Sequence, residues 1–229
     1  KDGDSLVGVA KTSGSSDIML FSNLGKAIRF NEYYVNNGND EDEEVSGSLN
    51  TENDDSDDDN ATEFNLQTNK GVRPSGRGSG GLRGMRLPAN GRIVSLLTAE
   101  IGSDLQVLTV TQNGYGKRTP IEDYSRKGKG GQGIIAIDTG ERNGELVGAA
   151  LVSPNDDLML ITSGGVLIRT KVEQVRETGR AAQGVRLINL DEGTTLVSIE
   201  RVAEENSDEE AELVELMKNT NEVDTSDEA

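Results

Sequence analysis

Residues 107–119 read Val-Leu-Thr-Val-Thr-Gln-Asn-Gly-Tyr-Gly-Lys-Arg-Thr, and this stretch decides the fold. An apolar run leads through Asn113-Gly114 into a second short run that carries an arginine. Apolar or β-branched runs joined by residues that tolerate a positive φ predict a β-hairpin. The same pattern returns at residues 18–30 and 158–170. The arginines at matching places are Arg29, Arg118 and Arg169.

Further landmarks follow each hairpin at a regular distance. A glycine that precedes an apolar run lies 15 residues after Arg118 and 15 residues after Arg169. Third strands are predicted at 84–87, 133–137 and 184–188, and fourth strands at 6–9, 93–96, 146–149 and 196–199. Four strands in about fifty residues are typical of a propeller blade. The chain is therefore predicted to be all-β with about three to four four-stranded blades. A β-sandwich with coincidental spacing is the alternative.

Two acidic segments stand apart from this repeat. Arg29 lies 55 residues before Gly84, against 15 in the later repeats, so the first repeat carries an insertion of about 40 residues, which we place at 37–78. Residues 40–63 hold 12 acidic and no basic side chains, and residues 204–229 hold 11 acidic and one basic. These segments carry −12 and −10 of a total net charge of −18, which leaves +4 for the rest. We expect blades over 1–203, with both acidic segments disordered. The tail at 204–229 either docks on the basic part of the chain and competes there with a ligand, or is simply solvated.

Composition and spacing exclude several classes of site. The chain has no Cys and no His, which removes disulfides, thiolate zinc sites and the commonest general base. Residues 128–133 fit the pattern G-x-G-x-x-G, but an apolar strand follows instead of the helix that a dinucleotide site needs. No apolar run approaches 18 residues. No catalytic residue, metal site or membrane contact is predicted.

Residues 111–119 resemble a characteristic stretch of the C-terminal domain of the DNA gyrase A subunit, and so do residues 82–87, 141–144 and 201–204. The resemblance implies a six-bladed β-pinwheel, a propeller variant in which neighbouring blades exchange strands. It also implies that duplex DNA wraps around a basic perimeter. The family's heptapeptide Gln-Arg-Arg-Gly-Gly-Lys-Gly of the first blade is absent, and residues 125–131 hold only a degenerate relative. We therefore expect the later blades only.

The resemblance carries further expectations about partners and place. It implies a non-catalytic part of an ATP-dependent type IIA topoisomerase that introduces negative supercoils. That enzyme joins two A subunits to two B subunits in the bacterial cytoplasm, on the nucleoid. ATP and magnesium belong to its other domains, so no cofactor is expected in this chain, and the isolated chain is expected to be monomeric. Two alternatives stay open: the topoisomerase IV A subunit, which bends DNA without a full wrap, and a propeller that binds a protein partner.

Basic, Gly-rich loops recur at one position of the repeat. Lysine and arginine neutralise DNA phosphates and release counterions, so such binding falls steeply with salt and ignores base sequence. Ordinary solubilising surface charge is the alternative. The mid-strand arginines either face the rim or pair with acids between blades. The candidate DNA-binding residues are Arg73, Arg77, Arg83, Lys117, Arg118, Arg126, Lys127, Lys129, Arg176 and Arg180.

Overall fold

A computed structural model describes residues 5–33 and 71–203 of the chain, and everything structural below refers to these residues. They form eleven strands and two short 3₁₀ helices, at Ile121–Asp123 and Val172–Gln174. The strands are β1 (Asp17–Ser22), β2 (Lys26–Asn31), β3 (Ile93–Ala99), β4 (Gln106–Thr111), β5 (Tyr115–Pro120), β6 (Ile134–Ile135), β7 (Leu146–Val152), β8 (Asp157–Thr162), β9 (Leu167–Lys171), β10 (Val185–Arg186) and β11 (Leu196–Val202).

The strands pair into three sheets, which we call blades 1, 2 and 3. Blade 1 has the order β3-β1-β2-β6, blade 2 the order β10-β5-β4-β7, and blade 3 the order β11-β8-β9. All strand pairings within the sheets are antiparallel. Each sheet has a register shift at the same place, where the first strand of its hairpin (β1, β4 or β8) pairs with the edge strand β3, β7 or β11. The predicted all-β bladed fold is confirmed: in the described residues two blades have the predicted four strands and the third has three.

Blades 1 and 2 each contain an edge strand that comes from the following repeat. Strand β6 comes from the repeat that contains blade 2, yet it pairs with β2 of blade 1. Strand β10 follows the hairpin of blade 3 but pairs with β5 of blade 2. Each of these blades is therefore hydrogen-bonded to a strand of the following repeat, as the resemblance implied.

A glycine with positive φ makes each exchange possible. Gly133 has a φ of 76° and Gly184 a φ of 79°, in the region where side chains with a Cβ are strained. A Cβ on Gly133 would lie 2.6 Å from the carbonyl oxygen of Ala27, and one on Gly184 would lie 2.6 Å from that of Gly116. The donated strand can approach the preceding hairpin because no side chain stands between them.

Apolar side chains fill the spaces between blades. One cluster joins blades 1 and 2 around Phe21, Val107 and Tyr124. A second joins blades 2 and 3 around Leu108, Leu160 and Leu196. The hairpin strands of blade 2 are buried on both faces, because blade 2 has a neighbour on each side. These thin cores explain how a chain with 33% hydrophobic residues builds a packed fold.

Two of the predicted strands are absent from the described residues. Residues 6–9 and 84–87 form no strand, and Leu6 and Val9 are largely exposed. The counterparts of residues 84–87 are β6 and β10, each of which pairs with the hairpin of the preceding blade. The described part of the chain has no blade ahead of blade 1, so residues 84–87 lack that partner. Most of the insertion at 37–78 and the whole tail at 204–229 lie outside the described residues.

Candidate nucleic-acid interface

Three basic loops occupy the repeat position that the sequence singled out. We call residues 71–84 loop 1, residues 125–132 loop 2 and residues 176–183 loop 3. The backbone N–H of Lys127 donates to the carbonyl of Arg29 at 2.8 Å, and that of Thr178 donates to the carbonyl of Arg118 at 2.9 Å. Loops 2 and 3 therefore dock on the preceding blade in the same way.

Direct contacts connect loop 2 to loop 1, and connect loop 3 to strand β6, which follows loop 2. Gly130 of loop 2 donates its backbone N–H to the carbonyl of Gly84 in loop 1 at 2.7 Å. The Lys129 ammonium donates to the carbonyl of Gly71 at 2.8 Å. From loop 3, the Arg180 guanidinium donates to the carbonyl of Ile135 at 2.6 Å, just beyond loop 2. The three loops thus form a connected series along the described blades.

The ten predicted cations fall into three groups by exposure. Five are exposed, namely Arg73, Arg77, Arg83, Lys127 and Arg176. Three are half-buried, namely Arg126, Lys129 and Arg180. The remaining two, Lys117 and Arg118, are buried. Both faces of β5 are buried, so Lys117 and Arg118 lie beneath the loops and not on the exposed surface where the sequence had suggested them.

Between blades 1 and 2, one buried carboxylate holds two arginines. Asp17 is 0% exposed and accepts from Nε and Nη2 of Arg29 at 2.8 and 2.6 Å. It also accepts from Nε of Arg126 at 2.9 Å. Nη1 of Arg29 donates across the junction to the carbonyls of Ile121 and Tyr124 at 2.7 and 3.1 Å. Arg126, a predicted DNA-binding residue, is thereby anchored at the base of loop 2.

Between blades 2 and 3, the same positions carry a different set of charges. Nη1 of Arg118 donates to the amide oxygen of Gln106 at 2.8 Å, and the Gln106 amide group donates to Glu177. Nε of Arg118 donates to the carbonyl of Val175 in the next blade at 2.7 Å. At this junction the neutral Gln106 amide links the Arg118 cation to the Glu177 carboxylate. At the junction of blades 1 and 2, by contrast, the Asp17 carboxylate links two cations.

Lys117 lies beneath loop 3 with its ammonium group fully used. Its Nζ donates to Thr119 Oγ1 at 3.1 Å and to the carbonyls of Gly179 and Arg180 at 2.9 and 2.5 Å. Burial, followed by the nearby Arg180 charge, lowers the pKa of Lys117 to about 8, while Asp123 opposes the shift. Lys117 is therefore a buried cation whose pKa lies only slightly above neutral pH.

Blade 3 contains the third of the mid-strand arginines. Arg169 forms an ion pair with Asp157, which also forms an ion pair with the Lys171 ammonium at 2.9 Å. The hydrogen bond from Lys171, followed by that from Arg169, holds the pKa of Asp157 below its usual value. The Arg169 side chain is 63% exposed. The predicted pairing with acids between blades is not what the structure shows. Arg29 and Arg169 pair with acids of their own blades, Arg118 binds the Gln106 amide, and Arg29 and Arg118 reach the next blade through carbonyl oxygens.

Comparison with known proteins identifies the family. The profile of the family described as "DNA gyrase C-terminal domain, beta-propeller" matches residues 16–37, 69–100, 106–153 and 156–203, more than half of the chain. The chain belongs to the DNA gyrase C-terminal domain family. The resemblance that residues 111–119 carried is confirmed.

Relatives of this gyrase domain agree with the assignment. The chain is 70% identical over 214 residues to the DNA gyrase A subunit of Neisseria gonorrhoeae, covering 91% of this chain and 23% of that protein. It is 37% identical over 215 residues to the DNA gyrase A subunit of Pseudomonas aeruginosa, covering 94% of this chain and 19% of that protein. The chain thus spans about a fifth of the length of these curated relatives.

Solved structures share the fold of this gyrase domain. A DNA gyrase A C-terminal domain matches with a TM-score of 0.60 and 24% identity, over 82% of this chain and 51% of that one. The C-terminal domain of a DNA topoisomerase IV matches with a TM-score of 0.65 and 19% identity, over 92% of this chain and 54% of that one. At this level of identity the matches show the fold alone.

The gyrase domain also has positioning residues that sequence reasoning missed. Asp17, Gln106 and Asp157 each bind the arginine twelve residues later in their own hairpin. A constant spacing of twelve between a carboxylate or amide and the repeat arginine was visible in the sequence. Their role becomes apparent only when the antiparallel register places each pair on one face.

The described part of the gyrase domain offers no metal centre. Within residues 5–33 and 71–203, no group of three or more His, Cys, Asp or Glu side chains lies together so that it could hold a metal ion. None of the helices in these ranges is long and apolar enough to span a membrane.

Proposed function

We propose that this domain binds duplex DNA through phosphate contacts along loops 1 to 3 and wraps it without regard to base sequence. The proposal extends to supporting negative supercoiling within a DNA gyrase. The observation that carries it is the connected series of loops. Exposed or half-buried cations stand on loops that follow one another, with loop 2 bound to loop 1 and loop 3 bound to the strand just after loop 2, so a phosphate backbone meets positive charge at each successive blade.

The chemistry of the loops suits phosphate binding. Loop 1 carries Arg73, Arg77 and Arg83, and all three are exposed. Lys127 of loop 2 and Arg176 of loop 3 are exposed as well. Glycines between these cations let the main chain approach the DNA closely, because no Cβ keeps the two apart. Arg126 and Lys129 are half-buried, and their hydrogen bonds to Asp17 and to the carbonyl of Gly71 hold loop 2 in place beneath the exposed cations.

The number of cations sets the expected salt dependence. With Arg180 included, six side chains can each neutralise about one phosphate. The slope of log affinity against log salt is then about −5, since each contact contributes roughly −0.9. Raising the salt from about 50 to about 200 mM would weaken binding by about a thousandfold.

A gel-shift or fluorescence titration with a duplex of about 100 base pairs tests this proposal. Two duplexes of unrelated sequence should bind with equal affinity and the same steep slope. A propeller that uses a protein partner and no DNA would show no salt-dependent shift, and that result would overturn the proposal.

A second experiment separates wrapping from simple bending. Nicked circles are closed by ligase in the presence of the domain, and their linking number is measured after the protein is removed. A shift in linking number that grows with protein concentration indicates a wrap of defined hand. No shift despite tight binding indicates the bending that was the topoisomerase IV alternative. The gyrase relatives favour the wrap.

The same relatives support a proposal about assembly. We infer that the domain belongs to a gyrase A subunit that works with B subunits and a second A subunit on the bacterial nucleoid, in the cytoplasm. Co-purification of the full-length A subunit with a B subunit, and loss of supercoiling when this domain is deleted, would test that assembly.

A further inference from the structure

Lys117 occupies a position that is apolar in the other two blades. Counting from the repeat arginines, its counterparts are Ile28 in blade 1 and Ile168 in blade 3. Ile28 is buried and lies beneath loop 2, with its Cδ1 atom 3.6 Å from where a Cβ on Gly131 would stand. Burying an ammonium group is costly unless every N–H finds an acceptor. Apolar packing, which accounts for isoleucine at this position in blades 1 and 3, therefore does not account for a lysine in blade 2.

The acceptors of Lys117 belong largely to loop 3. Its Nζ holds the carbonyls of Gly179 and Arg180, and the hydroxyl of Thr119 donates to the carbonyl of Thr178 at 3.0 Å. The backbone N–H of Arg118 donates to the carbonyl of Arg176 at 3.1 Å. Successive carbonyls of loop 3 are thus turned toward β5 and away from the surface on which a phosphate would lie.

Loop 3 also has less positive charge of its own than loop 2. Loop 2 carries Arg126, Lys127 and Lys129, whereas the counterpart of Arg126 in loop 3 is Glu177. A buried cation beneath loop 3 offsets that acid. Because the Lys117 side chain is fully buried, its charge is weakly screened.

We propose that Lys117 is a positioning residue for DNA at the junction of blades 2 and 3, fixing loop 3 with its carbonyls inward and supplying positive charge from beneath. This inference rests on the proposed DNA-binding function and deepens it. Lys117 does not touch the phosphate, so it releases no counterion of its own, unlike an exposed lysine.

The titration of Lys117 gives the inference a distinctive signature. The charged and titratable groups around it are Asp123 of the 3₁₀ helix, Arg180 of loop 3, Tyr124, and Tyr115 and Arg118 on its own strand. The chain has no His and no Cys, so few other groups change charge between pH 7 and pH 9. The pKa of Lys117 lies at about 8, in the middle of that window. Bound phosphates favour the charged form, and about half of the free domains already carry this proton at pH 8, so DNA binding at pH 8 should take up at most about half a proton per domain.

The test compares Lys117→Met with Lys127→Met in the full chain, acetylated at its amino terminus, by titration with the duplex of about 100 base pairs. Wild-type affinity should fall about three- to tenfold between pH 7 and pH 9.5, because one buried charge is lost. Lys117→Met should show the weakened affinity already at pH 7, keep the salt slope, and lose the dependence on pH. Lys127→Met should lower the magnitude of the salt slope by about 0.9 and keep the dependence on pH.

Three outcomes would overturn the inference. Wild-type affinity that is flat from pH 7 to pH 9.5 removes the charge role, and this test needs no variant. Lys117→Met with wild-type affinity removes any role. Lys117→Met with the reduced salt slope of Lys127→Met makes Lys117 a direct contact.

Hydrogen exchange without DNA separates this inference from the proposed function. In Lys117→Met the amide of Thr178, which donates to Arg118, should exchange faster, while the matching amide of Lys127 in loop 2 should keep its wild-type rate. Unchanged exchange at Thr178 contradicts the positioning role whether or not the chain binds DNA. If wild type shows no salt-dependent duplex binding, the proposed DNA function fails, and the exchange result still decides whether Lys117 positions loop 3.

Discussion

Asp17→Asn should be among the most damaging single substitutions in the described blades. The Asp17 carboxylate is fully buried and binds the guanidinium groups of both Arg29 and Arg126. Asparagine keeps the shape and one acceptor oxygen but removes the charge. It also turns N–H groups toward arginine N–H groups that need acceptors. The junction of blades 1 and 2 would then hold two cations without the Asp17 charge that lies between them.

The size of the effect follows from burial. The Arg29 side chain is 10% exposed and that of Arg126 is 25% exposed, so water can replace little of what Asp17 provides. Removing one partner of a buried ion pair costs about 3–5 kcal/mol. Because the amide oxygen retains one hydrogen bond, we expect about 3 kcal/mol of lost unfolding free energy. Arg126 would also lose its anchor at the base of loop 2.

Urea unfolding followed by circular dichroism measures this loss, and Asp157→Asn is the matched control. Asp157 holds the same repeat position, but its partners Arg169 and Lys171 have side chains that are 63% and 52% exposed. Exposed pairs contribute little, because water solvates each charge when the partner is lost. Asp157→Asn should therefore lose far less stability. Equal losses at the two positions would refute the reasoning from burial.

Three further predictions concern the loops, the strand exchange and the tail. Replacing all three arginines of loop 1 by alanine should reduce the magnitude of the salt slope for duplex binding by about 3, measured by the same titration; an unchanged slope would remove loop 1 from the interface. Gly133→Ala should lower the free energy of unfolding in urea by about 2 kcal/mol or more, since it combines a positive φ with a clash against a carbonyl. Gly76→Ala, with no atom near its Cβ, is the control and should change this free energy by less than about 0.5 kcal/mol. Deleting residues 204–229, which carry a net charge of −10, should raise duplex affinity at low salt and leave it unchanged at high salt. Equal affinity at low salt would show that the tail does not compete.

The sequence was sufficient for the hairpins and the repeat. Strand pairs β1–β2, β4–β5 and β8–β9 coincide with the three predicted hairpins, because alternation and turn glycines are local signals. The pairing partner of each donated strand is not local. The short strand after Gly133 contains nothing that selects blade 1 over blade 2, and the resemblance supplied what periodicity could not.

The site was harder to predict than the fold for a related reason. Charge and spacing located loops 1 to 3, but they could not separate exposed cations from buried ones. Lys117 and Arg118 lie in a strand that is covered on both faces, so the usual rule that lysine and arginine face solvent fails there. That failure is informative, since the Lys117 side chain binds carbonyls of loop 3 and the Arg118 side chain binds the carbonyls of Glu173 and Val175 just before that loop.

The central claim is that loops 1, 2 and 3 together form one track for the DNA backbone. Amide hydrogen exchange with and without a duplex of about 100 base pairs tests it most directly, at a salt concentration of about 50 mM. Slower exchange in residues 71–84, 125–132 and 176–183 at once, with the hairpin turns at 23–25, 112–114 and 163–165 unaffected, is the predicted result. Protection confined to the hairpin turns, or to a single loop, would contradict the claim.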